Sequence, residues 1–169
     1  MKLLWPAQAS NLDNRTISEL GLPAELLMET AGRGVAAAVV ARTGAIGRDR
    51  LVTVLCGAGN NGGDGFVVAR ELADRGYRIH AYAVGDRERL SDAAKLHLAT
   101  LEASGIKPRW YNGPLGGGDL KALHRSLLRS TVIIDALLGV GPTTELREPM
   151  RTWVGQLDGR HEALTVAID

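Results

Sequence analysis

Two carboxylates in this chain stand where an open parallel sheet would offer them to a ligand. Asp135 and Asp169 each close an apolar, β-branched run, Thr131-Val132-Ile133-Ile134 and Leu164-Thr165-Val166-Ala167-Ile168. Asp is a poor strand residue, so its place directly after Ile asks for a reason. A third carboxylate, Asp64, lies with two amides in the stretch Gly57-Ala58-Gly59-Asn60-Asn61-Gly62-Gly63-Asp64-Gly65. Carboxyl groups so placed can act as general acid and base, and the oxygens of Asn60, Asn61 and Asp64 can bind a polar ring, a ribose or a hard cation. Each residue also has a bland reading. Asp is common where strands pass into loops and where helices start, and Asn suits turns. Two strand-closing carboxylates facing one glycine-rich stretch favour the functional reading.

The stretch follows the apolar run Leu51-Val52-Thr53-Val54-Leu55-Cys56 and leads into Phe66-Val67-Val68-Ala69-Arg70-Glu71-Leu72, which has helical spacing. Strand, glycine loop and helix together make an arrangement that can cradle a phosphate, with glycines taking positive φ and the helix N-terminus attracting an anion. Gly57-x-Gly59-x-x-Gly62 fits the dinucleotide fingerprint in its required context. The Walker A pattern fails, because Gly63 and Asp64 stand where Lys and Ser or Thr belong. Gly32-Arg33-Gly34-Val35-Ala36-Ala37 also matches the fingerprint, but it lies inside a helical pattern with no strand before it.

Composition sets the class. At 169 residues, 45% apolar and 23% charged, the chain reads as one globular domain with a real core. A net charge of +1 with interspersed signs, and only 4% aromatics, point to no nucleic-acid or membrane surface. The single cysteine, Cys56, reads as a buried strand residue, and the expected compartment is a reducing cytoplasm. His80, His97, His124 and His161 form no ligand-spaced cluster, and no Gly-x-Ser-x-Gly elbow is present.

The elements that must position these groups alternate. Pro6 opens a helix to Leu20, and a second helix runs from near Pro23 to about Gly44, both ahead of the first core strand; they cover the sheet or form a dimer contact. After the helix that ends at Arg75 and Gly76 come a strand at 78–84, a helix at 91–104, a short edge strand at 107–111, a loop at 112–118 and a helix at 119–128. A strand at 131–135, a second glycine loop at 139–144, a helix at 149–157 and a strand at 164–169 complete the series. Strands alternating with helices imply a Rossmann-like three-layer α/β/α sandwich with a mostly parallel sheet. Its ligand edge gathers the 57–65 stretch, Asp135 and Asp169.

Asn60-Asn61-Gly62-Gly63-Asp64-Gly65, preceded by Gly57-Ala58-Gly59, resembles the hallmark loop of the YjeF N-terminal domain family, the NAD(P)H-hydrate epimerases. Leu27-Met28-Glu29-Thr30-Ala31-Gly32, Ile134-Asp135-Ala136-Leu137-Leu138-Gly139-Val140-Gly141 and Val166-Ala167-Ile168-Asp169 agree with it in the same order, Thr30 replacing a usual Asn. The resemblance implies a domain over residues 1–169, cut within an Asp-x-Pro-Ser-Gly segment after Asp169. It also implies a homodimer acting on hydrated NADH or NADPH, with a fused or separate NAD(P)H-hydrate dehydratase as partner. Carried over by position, Asn60, Asn61, Gly62, Gly63 and Asp64 contact the hydrated nucleotide, as do Gly139, Val140, Gly141, Pro142, Thr143, Thr144 and Glu145. Asn61 and Asp135 hold a potassium ion, and Asp169 is the acid that touches the substrate.

That role suits the chemistry. The hydrate is a carbinolamine at ring carbon C6, and a carboxyl group can assist loss and return of its hydroxyl without any redox partner. Asp169, closing a strand beside the glycine loops, is the expected catalytic residue. Two rivals stay open. An NAD-dependent dehydrogenase would use Asp86 for a ribose or Arg87 for a 2′-phosphate; a scaffold module of the same fold would bind partners and no hydrate.

Overall fold

A computed structural model describes residues 5–44, 50–139, 145–158 and 162–168. The elements run α1 (Pro6–Leu20), α2 (Ala24–Thr43), β1 (Leu51–Cys56), α3 (Asn60–Asp74), β2 (Arg78–Val84), α4 (Asp92–Ala103), β3 (Arg109–Tyr111), α5 (Gly117–Arg129), β4 (Val132–Ala136), α6 (Met150–Gly155) and β5 (Leu164–Ala167). All strand pairs are parallel, and the order across the sheet is β3-β2-β1-β4-β5. The chain therefore winds outward twice from β1, and the direction reverses between β1 and β4. Ligands of doubly wound sheets bind at that reversal, beyond the strands' carboxyl ends.

The central strands are apolar because both their faces are covered. On one face Val52 and Val54 of β1, Ala83 and Ile134 meet Phe66, Val67 and Leu72 of α3 and Ala94, Leu98 and Leu101 of α4, with α2 outside them through Met28, Ala36 and Val39. On the other face Leu55, Tyr82, Val84 and Ile133 meet Leu123 and Leu127 of α5 and the fully buried Trp153 of α6. The three-layer architecture expected from the alternation is the observed one.

Local signals act where they should. Gln8 accepts the Trp5 amide N–H at 2.9 Å to open α1, whose end is Gly21 at φ 67°. Ser91 caps α4 by accepting the Ala94 N–H, and Gly76 takes φ 87° after α3. α2 is joined to α3 by an ion pair in which Arg70 meets both oxygens of Glu29 at 2.6 and 2.7 Å. α1 is exposed along nearly its whole length, leaving Trp5, Leu12, Ile17 and Leu20 in solvent. No described helix is long and apolar enough to cross a membrane.

One expectation is corrected. Residues 60–65 are not a loop: α3 starts at Asn60, six residues before Phe66, and Gly59 is its N-cap. None of Gly57, Gly59, Gly62, Gly63 or Gly65 has a positive φ. They are small for packing. A Cβ on Gly62 would strike the Gly57 carbonyl oxygen, and one on Gly57 the Leu137 carbonyl oxygen. A Cβ on Gly63 would stand 2.5 Å from Met28 Sδ, and one on Gly65 2.7 Å from Ala136 Cβ and 2.8 Å from Cys56 Sγ. Asn-Asn-Gly-Gly has poor intrinsic helix propensity, and close packing against β1, β4, α2 and α4 overrides it.

Candidate functional site

The site grows from the β1–β4 reversal. Gly57 extends the ladder past β1 by donating its N–H to the Ala136 carbonyl at 2.8 Å, so the two strand ends stay side by side. Asp135 stands in register with Leu55 on one side and Ala167 on the other. One of its carboxylate oxygens accepts the Leu137 N–H at 3.1 Å, and its carbonyl accepts the Ile168 N–H at 2.9 Å. Burial pushes the Asp135 pKa above the ordinary carboxylate range, opposed by the Leu137 amide. The other carboxylate oxygen has no protein partner among the described residues.

α3 enters this edge N-terminus first. Its free N–H groups and dipole give a positive end at Asn60, Asn61 and Gly62, and the packed glycines hold that end against the strand termini. Asn60 is exposed and fixed from α4: the Ser91 hydroxyl donates to its Oδ1 at 2.7 Å. Asn61 is half-buried, and its Nδ2 is shut from solvent without a hydrogen-bond partner among the described residues. A Cβ on Gly139 would lie 3.4 Å from Asn61 Cβ, so the Gly139 backbone lies directly against this side chain. A buried amide left unpaired costs free energy that a ligand or ion shell can recover.

Asp64 is one turn further along α3. Its pKa is pushed up to about 7, by burial first and then by the charge of Asp13 on α1. At neutral pH it is thus part protonated and can donate as well as accept. The sequence gives no sign of Asp13's part, because nothing in α1 fixes which of its residues faces α3. Ser91 was legible only as a helix cap; its contact to Asn60 depends on where α4 starts relative to α3.

The remaining expected positions divide. Val140, Gly141, Pro142, Thr143, Thr144 and Asp169 lie outside the described residues. Ile168, just before Asp169, is buried and hydrogen-bonded to β4 at Asp135. Glu145 is solvent-exposed beside Arg151 of α6, 3.7 Å away. Met28, read as a core residue, is one: it is buried and packs against Gly63.

Residues 24–169 match the family described as YjeF-related protein N-terminus. The chain belongs to that family. Among relatives of this YjeF N-terminal domain is a protein of Salinibacter ruber named bifunctional NAD(P)H-hydrate repair enzyme Nnr, 44% identical over 93% of this chain and 29% of the relative. Proteins named NAD(P)H-hydrate epimerase from Rhodopirellula baltica and Leuconostoc mesenteroides are 34% and 33% identical, over 80% and 90% of this chain and 51% and 62% of their own lengths. The chain thus spans less than two thirds of each of these relatives. The crystal structure of yeast ynu0, YNL200c, superimposes with a TM-score of 0.85 at 27% identity, covering all of this chain and 70% of the yeast chain.

Proposed function

We propose that this domain interconverts the R and S forms of hydrated NADH or NADPH, a repair isomerisation without redox change. The observation that carries the reading is the amide of Asn61, unpaired among the described residues and buried between the α3 N-terminus and Gly139, at the end of the sheet where β4 closes on Asp135 and Ala136. Relatives named as NAD(P)H-hydrate epimerases and repair enzymes supply the substrate class.

In the proposed reaction Asn60, Asn61 and Asp64 hydrogen-bond the hydrated nucleotide, and residues 139–145 lie along its phosphates. A carboxylic acid donates its proton to the departing C6 hydroxyl, which leaves as water. The ring nitrogen's lone pair forms a planar iminium; water then adds to either face and returns a proton to the carboxylate. We assign this acid/base role to Asp169. Asp64, with a pKa near 7, can hold a proton against a substrate oxygen.

The Asn61 amide oxygen and the Asp135 carboxylate are hard donors suited to a potassium ion. No three His, Cys, Asp or Glu side chains gather anywhere among the described residues, so amide, carboxylate and backbone oxygens would form the shell. When bound, the ion would supply positive charge beside Asp135 and favour its ionised form. A homodimer, a dehydratase partner and a reducing cytoplasm belong to the same proposal.

The test starts from one purified epimer of the hydrate. Appearance of the other without loss of absorbance is the expected result, and Asp169→Asn should abolish it. Hydride transfer to a second substrate, or failure of the wild-type chain to bind the hydrate, refutes the proposal.

A further inference from the structure

A second polar centre lies on the α5 side of the sheet, away from Asn61 and Asp135. β3 pairs with β2 only from Tyr82 to Val84, so Arg78–Ala81 have no strand on their outer side. A cavity of about 200 Å³ opens there, with His80 and Tyr82 on β2 and Lys107 and Arg109 at the start of β3 among its walls. Arg78 of β2 and Arg129 of α5 bring two more positive charges within reach of the His80 ring. The Arg109 guanidinium stands 6.0 Å from the Tyr82 ring centroid. None of Arg78, Lys107, Arg109 or Arg129 is ion-paired among the described residues. The nearby carboxylate of Asp119 is engaged by the Tyr111 hydroxyl.

Beneath the cavity a chain of buried hydroxyls fixes the proton on His80. Ser130 donates its hydroxyl hydrogen to the Ser126 carbonyl at 2.9 Å, so its contact with Thr53 at 2.7 Å is one in which Thr53 donates. Thr53 has then used its only hydrogen, and Ser126 donates to it at 2.8 Å. The Ser126 oxygen must therefore accept from His80 Nδ1, 2.8 Å away. His80 carries its proton on Nδ1 in every state, and Nε2 is the nitrogen left to titrate. Burial, with Arg78, Arg109 and Arg129, pushes its pKa below the ordinary value, so at neutral pH Nε2 is a free acceptor amid positive charge.

We propose that this groove is a second ligand site, which takes a small phosphate-bearing anion with Lys107 and Arg109 on its oxygens and His80 Nε2 sharing a proton with it. Basic side chains at a sheet edge also guard against strand pairing, which accounts for Lys107 and Arg109. It does not account for Arg129 on α5 and the imidazole held in one tautomer. Guanidinium groups match phosphate oxygens, and an ammonium adds a point charge. The proton comes from solvent or from the ligand's own hydroxyl, and binding strengthens as pH falls through the titration of Nε2.

NMR titration with inorganic phosphate and with pyrophosphate, at constant ionic strength set by chloride, tests this. Saturable shifts at His80, Lys107 and Arg109, with His80 titrating at higher pH when phosphate is present, are expected. Lys107→Gln with Arg109→Gln should raise the apparent Kd at least about tenfold, and Arg129→Gln should do so in a chain whose pocket wall is intact. Both changes are at exposed positions. Shifts that do not saturate, shifts confined to Asn60–Gly63, or wild-type affinity in either variant would overturn the site while leaving the proposed epimerase reading untouched.

Discussion

Replacing Asp64 by Asn should stabilise the protein at alkaline pH and disable it. The folded state raises the Asp64 pKa from 3.8 to about 7, so folding favours the protonated carboxyl. The sign follows: below the unfolded pKa both states are protonated and the group is neutral to stability. Stability is then lost as pH rises from about 4 to about 7, and the penalty stays constant above that. Three pKa units correspond to about 4 kcal/mol, and partial exposure of the side chain reduces this to about 2 kcal/mol. Asn keeps the shape and cannot ionise, so the variant should exceed wild type by about 2 kcal/mol at pH 8 and match it near pH 4. Urea unfolding at a series of pH values measures this, and epimer exchange run on the same samples should show activity falling as stability rises. A stability difference of the same size at pH 4 and pH 8 would refute the electrostatic account. The double variant with Asp13→Asn adds a control, since removing Asp13 first should shrink the Asp64 effect.

Three further outcomes follow from the same geometry. Gly62→Ala places a methyl group on the Gly57 carbonyl and should destabilise the fold by about 3 kcal/mol, read as a lowered midpoint in denaturant. Asn61→Ala removes a buried unpaired amide and should raise stability by about 1 kcal/mol while abolishing any protection against heat by potassium or nucleotide. Ser91 separates capping from positioning. Ser91→Asp keeps an acceptor for the Ala94 N–H but cannot donate to Asn60, so KM should rise with the melting temperature unchanged; Ser91→Ala should lose about 1 kcal/mol as well, and Ser91→Thr should preserve both.

Much of this architecture was legible because the sheet is buried on both faces. Runs such as Leu51–Cys56 and Val132–Ile134 have no polar face to blur them, and Pro6, Gly21, Gly76 and Ser91 mark helix ends through backbone geometry that few other residues supply. The start of α3 was not legible. Asn60 to Gly65 has the composition of a loop, and only the Gly57 and Leu137 carbonyls, Met28 and Ala136 pressing on it make helix the better state. For the site, residue types pointed to Asn61 and Asp135, which the structure sets at the start of α3 and the end of β4. What they could not convey was the charge state of Asp64, which depends on burial and on a neighbour fifty-one positions earlier, Asp13. The His80, Ser126, Thr53 and Ser130 chain is likewise invisible in one dimension, joining residues from β1, β2 and α5.

The packed start of α3 bears on how this fold can change over generations. Its glycines answer to the interior, and its asparagines and Asp64 answer to whatever enters from solvent. A lineage that gave up the proposed reaction would be free to replace Asn60, Asn61 and Asp64, and would gain stability at Asn61 and Asp64, yet would still be bound to keep Gly57, Gly62, Gly63 and Gly65. Surviving glycines in a descendant therefore testify only to an intact scaffold. Asn61 and Asp64, carried at some cost to the folded state, are the positions whose replacement would record loss of the proposed reaction.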